Sequence, residues 1–378
     1  VGTIAAFGSY AVGFLARPLG GIVFGHFGDK IGRKAMLSLT IMIMGLGTFL
    51  IGCLPTYSQI GVWAPILLVT LRLVQGIGIG GEWGGAVLMV VESVPAHRRG
   101  FFGSIVQLGY PLGVILSIGA FALAGLMPEA EFLAWGWRLP FLASAALVGV
   151  GLYVRLKLTE TPVFKAALEK AAPEKVPLAV IFTKYIRATL LGTFAMVACY
   201  AVFYLSTVFA LSYGVSTLGF TRPTFLLFEC VAVLFMGLGI PLSGWAADRY
   251  GRRPVLLSGL VFTASLGLLM GPMLGSGQGG LVLGFLCLGL FAMGWLFGPM
   301  GALLPELFPT RVRYTGASVT YNLAGILGAS AAPYLAQRLS EWGGIGWVGL
   351  YLAVAAGVSF VAVALMKETG KSNNISDL

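Results

Sequence analysis

Apolar residues run along this chain in blocks of about 20, which is the length an α-helix needs to cross a hydrocarbon core. The blocks fall at roughly 2–25, 35–54, 64–90, 101–126, 138–156, 188–212, 222–246, 255–274, 280–304, 314–337 and 345–366. They predict eleven transmembrane helices. The Gly and Pro inside them are tolerated in membrane helices more than in soluble ones. One longer polar stretch, 158–187, contains Pro162, Pro173 and Pro177 with mixed charges and reads as a linker, with a short amphipathic helix at Val163–Lys170. The expected organisation is a bundle over 1–157, the linker, a second bundle over 188–366 and a tail over 367–378.

Composition agrees. Of 378 residues, 58% are hydrophobic and 10% charged, against about 45–50% and about 25% in a soluble domain. A soluble enzyme cannot hide that much apolar surface, and a disordered chain would not contain it. Glycine, at 55 residues, shows no G-X-Y period, so collagen is excluded.

The net charge of +10 first suggests a nucleic-acid partner. Its placement argues otherwise. Lys30, Arg33 and Lys34, Arg98 and Arg99, Arg155 and Lys157, Lys165 to Arg187, Arg249 to Arg253, Arg311 and Arg313, and Lys367 and Lys371 all fall in alternate gaps, on one side of the expected membrane. That bias marks the cytoplasmic side and places the C-terminus there. No nucleic acid is expected. Cys53, Cys199, Cys230 and Cys287 lie far apart in or beside apolar runs, and His26 and His97 have no second ligand nearby, so no disulfide framework and no metal site are expected.

An internal repeat then appears. Gly25–Leu37 reads GHFGDKIGRKAML and Gly244–Leu256 reads GWAADRYGRRPVL. Gly25/Gly244, Asp29/Asp248, Gly32/Gly251 and Arg33/Arg252 stand at one common separation, and Lys34/Arg253 follow. A second motif pairs Glu92 with Glu306, Pro95 with Pro309, Arg99 with Arg313 and Ser104 with Ser318 at a nearly equal separation. The chain therefore reads as two similar halves in parallel order. The helix at 188–212 precedes the second copy, and its counterpart in the first half would fall before Val1. The sequence is thus expected to lack a first transmembrane helix, the alternative being a native eleven-helix chain.

In these motifs the glycines permit a tight turn between two helix ends. Asp29 stands where it can pair with a basic residue or a helix N-terminus, forming a gate with two discrete arrangements. Both copies resemble the signature loop of the major facilitator superfamily. RLVQGIGIGGEWGG at Arg72–Gly85, VESVPAHRRG, WGWRLPF at Trp135–Phe141 and LTETPVF at Leu158–Phe164 resemble its metabolite:proton symporter family, which includes carriers of shikimate, α-ketoglutarate, citrate and proline/betaine. The runs at Gly298–Ser318 and Tyr321–Tyr334 are similar to inner-membrane metabolite transporters of that family. The resemblance covers nearly the whole chain. It implies an all-α membrane protein of two six-helix bundles with pseudo-twofold symmetry, in a bacterial inner membrane. The absent first helix ordinarily helps line the cavity in this family.

Ionisable groups inside bilayer spans mark candidate chemistry. Arg72, Gln75, Ile79 and Glu82 fall on one stripe of a helix, with Glu82 about 15 Å deeper than Arg72. Glu82 is the first candidate for the coupling proton, with Glu229 as a second or as a gate. Arg72 or Arg17 would attract a substrate carboxylate. Gln75, Gln107, Tyr110, Tyr200, Tyr204, Trp295, Tyr321 and Asn322 are further candidate substrate-binding residues of the cavity, each of which could be an ordinary packed residue. The chain contains no G-x-x-x-x-G-K-[ST], so a proton gradient is the expected energy source and no cofactor is expected. No nucleophile–His–acid set suggests an enzyme. The leading expectation is a monomeric symporter of a small organic acid or zwitterion. An antiporter or exporter, and a transport-like solute sensor, are the alternatives.

Overall fold

A computed structural model of the chain describes residues 2–170 and 174–370. Val1, linker residues 171–173 and the tail beyond Gly370, with Lys371, lie outside the described residues.

Among the described residues, nine helices are long and apolar enough to cross a membrane. The helices that matter below are α1 (Gly2–Lys30), α2 (Arg33–Cys53), α3 (Trp63–Val91), α4 (Arg99–Gln107), α5 (Gly109–Ala124), α6 (Leu139–Lys157), α7 (Pro162–Lys170), α8 (Ile186–Tyr204), α9 (Ala210–Ser216), α10 (Arg222–Tyr250), α11 (Arg252–Met273), α12 (Gly279–Glu306), α13 (Arg313–Gly325), α14 (Ala332–Gly343) and α15 (Ile345–Ala364). The short linker helix expected at 163–170 corresponds to α7.

Two of the expected spans are not among the nine. One is α1, a helix of 29 residues. The other, expected as an unbroken run over 314–337, is interrupted by a π-turn at Ile326–Ser330 and continues as α14 to Gly343. Pro333 supplies the physical reason. It has no N–H for an α-helical bond, and its ring crowds the preceding turn, so the chain widens before it. A second π-turn, Leu205–Phe209, separates α8 from α9.

The chain divides into two compact units that do not follow chain order. The first is Val1–Glu92, Gly113–Ile181 and Thr310–Asn322; the second is Ser93–Leu112, Phe182–Pro309 and Leu323–Leu378. Each unit thus takes a short segment, the start of α13 or all of α4, from the other sequence repeat.

Within each unit, glycine lets a pair of helices touch backbone to backbone. A Cβ at Gly80 of α3 would overlap the Arg17 carbonyl of α1, and one at Gly294 of α12 would stand 2.5 Å from the Met236 carbonyl of α10. Small residues at such crossings are how membrane helices associate without a hydrophobic driving force.

The signature turns have their own geometry. Gly32, between α1 and α2, has φ +129, and Gly251, between α10 and α11, has φ +102. A Cβ there would also meet the Glu160 or Glu368 carboxylate. Gly32→Ala and Gly251→Ala are each expected to destabilise by about 1–3 kcal/mol. Gly61→Ala, at φ +60 with nothing within 4 Å, is expected to cost less. Thermal unfolding in detergent ranks the three.

Candidate functional site

The duplicated motif folds into two copies of one charged network, one in each unit. In the first unit, Arg33 is fully buried. Its guanidinium donates to the Gly28 carbonyl (3.0 Å), to Glu92 Oε1 (3.3 Å) and to the Thr310 carbonyl (3.0 Å). It also lies 4.2 Å from the centre of the Phe164 ring, a cation–π contact. Asp29 Oδ1 is 3.5 Å from Arg33. Glu92 accepts from Arg313 as well (3.2 Å), and from the Thr161 hydroxyl (2.6 Å). Burial pushes the Glu92 carboxyl up, but the Arg33 and Arg313 guanidiniums outweigh it and hold it below the ordinary carboxylate range.

The second unit repeats these bonds at the equivalent positions. Arg252 donates to the Ala247 carbonyl (3.0 Å), to Asp248 (2.8 Å) and to Glu306 (3.3 Å). Glu306 accepts from the Thr369 hydroxyl (2.5 Å). Arg99, of the same motif, is buried.

The aspartates do a second thing. Asp29 accepts from the backbone N–H of Tyr314 (3.1 Å) and of Thr315 (2.9 Å), and from the Thr315 hydroxyl (2.8 Å). Asp248 accepts from the N–H of Gly100 (2.7 Å) and of Phe101 (2.8 Å). Each carboxylate therefore closes the open N-terminus of a helix, α13 or α4, where unpaired N–H groups and the helix dipole both favour a negative charge. The exchange is reciprocal: Asp29 of the first repeat holds a helix of the second, and Asp248 of the second repeat holds a helix of the first. Gly25 and Gly244 make room for this contact. A Cβ at Gly25 would stand 2.7 Å from Thr315 Cα, and one at Gly244 would stand 2.7 Å from the Gly100 carbonyl.

Four residues of the network escape the sequence reading. Glu160 accepts from the Lys34 N–H (3.2 Å), and Glu368 accepts from the N–H groups of Arg252 (2.8 Å) and Arg253 (2.9 Å). They cap α2 and α11. Thr161 and Thr369 follow them and bind Glu92 and Glu306. The signal was an acid–threonine pair closing each repeat, in LTET and KET. Two shared residues are too few to stand out without the bonds.

A separate charged cluster forms inside the first unit. Glu82 of α3 makes a bidentate ion pair with Arg155 of α6, and accepts from the Thr40 hydroxyl of α2 (2.5 Å). Arg155 donates in addition to the Leu37 carbonyl (2.5 Å). In the sequence Arg155 carries only a topology signal. Gln75 donates to Thr48 of α2 (2.7 Å), so Gln75 and Glu82 both meet α2. Arg17 and Arg72 are half-buried on α1 and α3 in the same unit.

The other candidates scatter. Trp83, beside Glu82, stacks on Tyr321 with centroids 4.1 Å apart. Asn322 donates to the Gly80 carbonyl (2.9 Å). In the second unit, Gln107 donates to the carbonyls of Phe297 (2.6 Å) and Gly298 (3.0 Å). Tyr110 and Tyr204 meet Phe203 edge-on. Tyr200 packs at Gly325 and Gly328, at the π-turn Ile326–Ser330. Trp295 donates to the Val255 carbonyl (3.1 Å). Glu229 is half-buried on α10, and its Oε1 has no hydrogen-bond partner. No group of three or more His, Cys, Asp or Glu that could hold a metal ion occurs among the described residues.

Two family models match the chain: Sugar (and other) transporter over residues 3–175, and Major Facilitator Superfamily over residues 230–377. The chain is 47% identical, over 97% of its length and 85% of the relative's, to the inner membrane metabolite transport protein YhjE of Escherichia coli strain K12. The chain belongs to the major facilitator superfamily. It is also 39% identical to the shikimate transporter of the same organism, over 98% of this chain and 86% of that one. The fold matches that of the proton:xylose symporter XylE bound to 6-bromo-6-deoxy-D-glucose, with a TM-score of 0.77 at 18% identity, covering 97% of this chain and 87% of that one. As a major facilitator protein this chain is a multi-pass membrane transporter and not an enzyme.

Proposed function

We propose that this transporter is a proton-coupled symporter. It moves a small metabolite bearing a carboxylate, an organic acid or a zwitterion, across a bacterial inner membrane by alternating access. The basic loops and the C-terminus face the cytoplasm, and the protein works as a monomer with protons and the bilayer as its other partners.

The observation that supports this most is the reciprocal pair of latches. Asp29 and Asp248 each tie an end of one repeat to a helix of the other, through bonds that are either made or broken. A carrier that opens alternately to its two sides needs such bistable ties on the side that is closed. The absence of a nucleotide-binding loop in the sequence leaves an ion gradient as the energy source.

In this reading Arg17 and Arg72 attract the carboxylate. Glu82 takes and gives the proton, and protonation releases Arg155 from its ion pair. The relative named for shikimate, itself a carboxylic acid, agrees with an anionic substrate.

Counterflow with the full-length protein in liposomes tests the proposal. A panel of shikimate, α-ketoglutarate, citrate, proline and betaine is expected to contain at least one exchanging solute, and an inward proton gradient should drive its uptake. Exchange of a cationic drug and of none of the panel would overturn the substrate class. Expulsion under the same gradient would make the protein an antiporter.

A further inference from the structure

We propose that a cavity beside the Asp248 latch binds the phosphodiester headgroup of an anionic phospholipid. The inference rests on the fold alone and is independent of the transport reading.

The cavity, of about 540 Å³, opens between the start of α4 and the end of α10. Arg98 and Arg249 bring two exposed guanidiniums to it, one from each helix end, and His97 lies beside them. Asp248 is the acid in its wall, and its charge is already used. Its oxygens accept from the N–H groups of Gly100 and Phe101 and from Arg252. The charge left open in the cavity is positive.

The rest of the wall is aromatic. Trp245 is 50% exposed and Phe102 36%, on helices long and apolar enough to span a bilayer. Rings at the ends of such helices lie at the level of the headgroups. The Arg249 guanidinium is 5.7 Å from the centres of both the Trp245 and Tyr250 rings. It therefore lies over apolar surface while its charged head stays open, the posture of a side chain at a membrane boundary. A soluble anion has no use for those rings. A phospholipid uses both: its phosphate meets the arginines and its glycerol and upper chains meet the rings.

The repeat supplies an internal control. The positions equivalent to Trp245, Phe101 and Phe102 are His26, Thr315 and Gly316. There the Thr315 hydroxyl bonds Asp29 directly, and the Asp29 side chain is 0% exposed against 12% for Asp248. The first latch closes with His26, Thr315 and Gly316 where the second has Trp245, Phe101 and Phe102, so the latch itself does not require those three rings. A headgroup bridging Arg98 and Arg249 would tie together the two helices that Asp248 joins.

Bromine on the upper acyl chain quenches nearby tryptophan, and the difference between the wild type and Trp245→Phe isolates this position among the eight tryptophans. The full-length protein is placed in vesicles containing brominated phosphatidylglycerol in phosphatidylcholine, or the reverse. Quenching of Trp245 is expected to be severalfold stronger with brominated phosphatidylglycerol at equal mole fraction. The double variant R98Q/R249Q should lose that preference, and R98K/R249K should keep it. K30Q/R311Q, at the places in the first latch that correspond to Arg249 and His97, should leave it unchanged. Equal quenching by the two lipids, or a preference that survives R98Q/R249Q, would overturn the proposal. So would displacement by millimolar glycerol phosphate, which would make the ligand a soluble anion.

Discussion

Glu92→Gln is expected to lower the stability of the protein by about 3–5 kcal/mol, the largest loss of any single substitution considered. Arg33 and Arg313 both end on Glu92 Oε1, and all three side chains are fully buried. The amide keeps the shape and can still meet Thr161. It removes the charge that lets two guanidiniums sit side by side in a place closed to water. Breaking a buried pair costs more than forming it contributes, because the desolvated partner stays behind. Glu92→Gln with Arg313→Gln should recover part of the loss, and a double-mutant cycle on thermal unfolding in detergent measures how much. The acid response has a defined sign. The folded carboxyl sits below its ordinary range. Its contribution is therefore fully present above the unfolded-state value, about 4.3 for a free Glu, and is lost only as pH falls through the lower folded value. The wild type should retain this contribution at pH 5, and Glu92→Gln should abolish that part of the acid dependence.

Glu82→Gln is expected to reduce uptake driven by a proton gradient to the level of empty vesicles while leaving exchange of substrate largely intact. A group that binds the coupling proton is needed for net flux and not for swapping one bound solute for another. Equal loss of both activities would remove Glu82 from the proton role. Stability separates the chemical reading from a structural one. If the Glu82–Arg155 pair only braces α2, α3 and α6, either single substitution should destabilise, and Glu82→Gln with Arg155→Gln should restore stability and transport together. If Glu82 carries the proton, the double variant should regain stability and still fail to concentrate solute. The second repeat suggests that bracing is not the whole of it. Its positions equivalent to Thr40 and Glu82 are Gly259 and Leu296, and a Cβ at Gly259 would meet the Leu296 side chain. The same crossing is built there without charge.

Much of this was legible from the amino-acid order. The apolar blocks gave the helices, because a bilayer fixes their length. The repeat gave the network's members, because the same charged residues recur at one spacing. Bonding was harder to read. Glu160 and Glu368 act by capping helices that begin far away in sequence, and a lone acid after an apolar block carries no mark of that. Glu82 stands out in the sequence as an acid inside a span, but its partner Arg155 sits among cationic loop residues and looks like any of them. Gln107 and Asn322 stand out in the sequence as polar groups inside spans. The structure finds them buried and donating to backbone carbonyls of neighbouring helices. Polarity alone does not tell a residue that binds a passenger from one that fastens a helix.

The first unit includes residues 310–322, and this has a bearing on synthesis. On the ribosome, Asp29, Arg33 and Glu92 are made early, while Tyr314, Thr315 and Arg313 emerge after four-fifths of the chain. Until then the early acids and Arg33 lack their late-made partners. Assembly of the amino-terminal half is therefore finished by a segment translated near the end, and a nascent chain halted before Thr310 would present those charges to quality-control proteases.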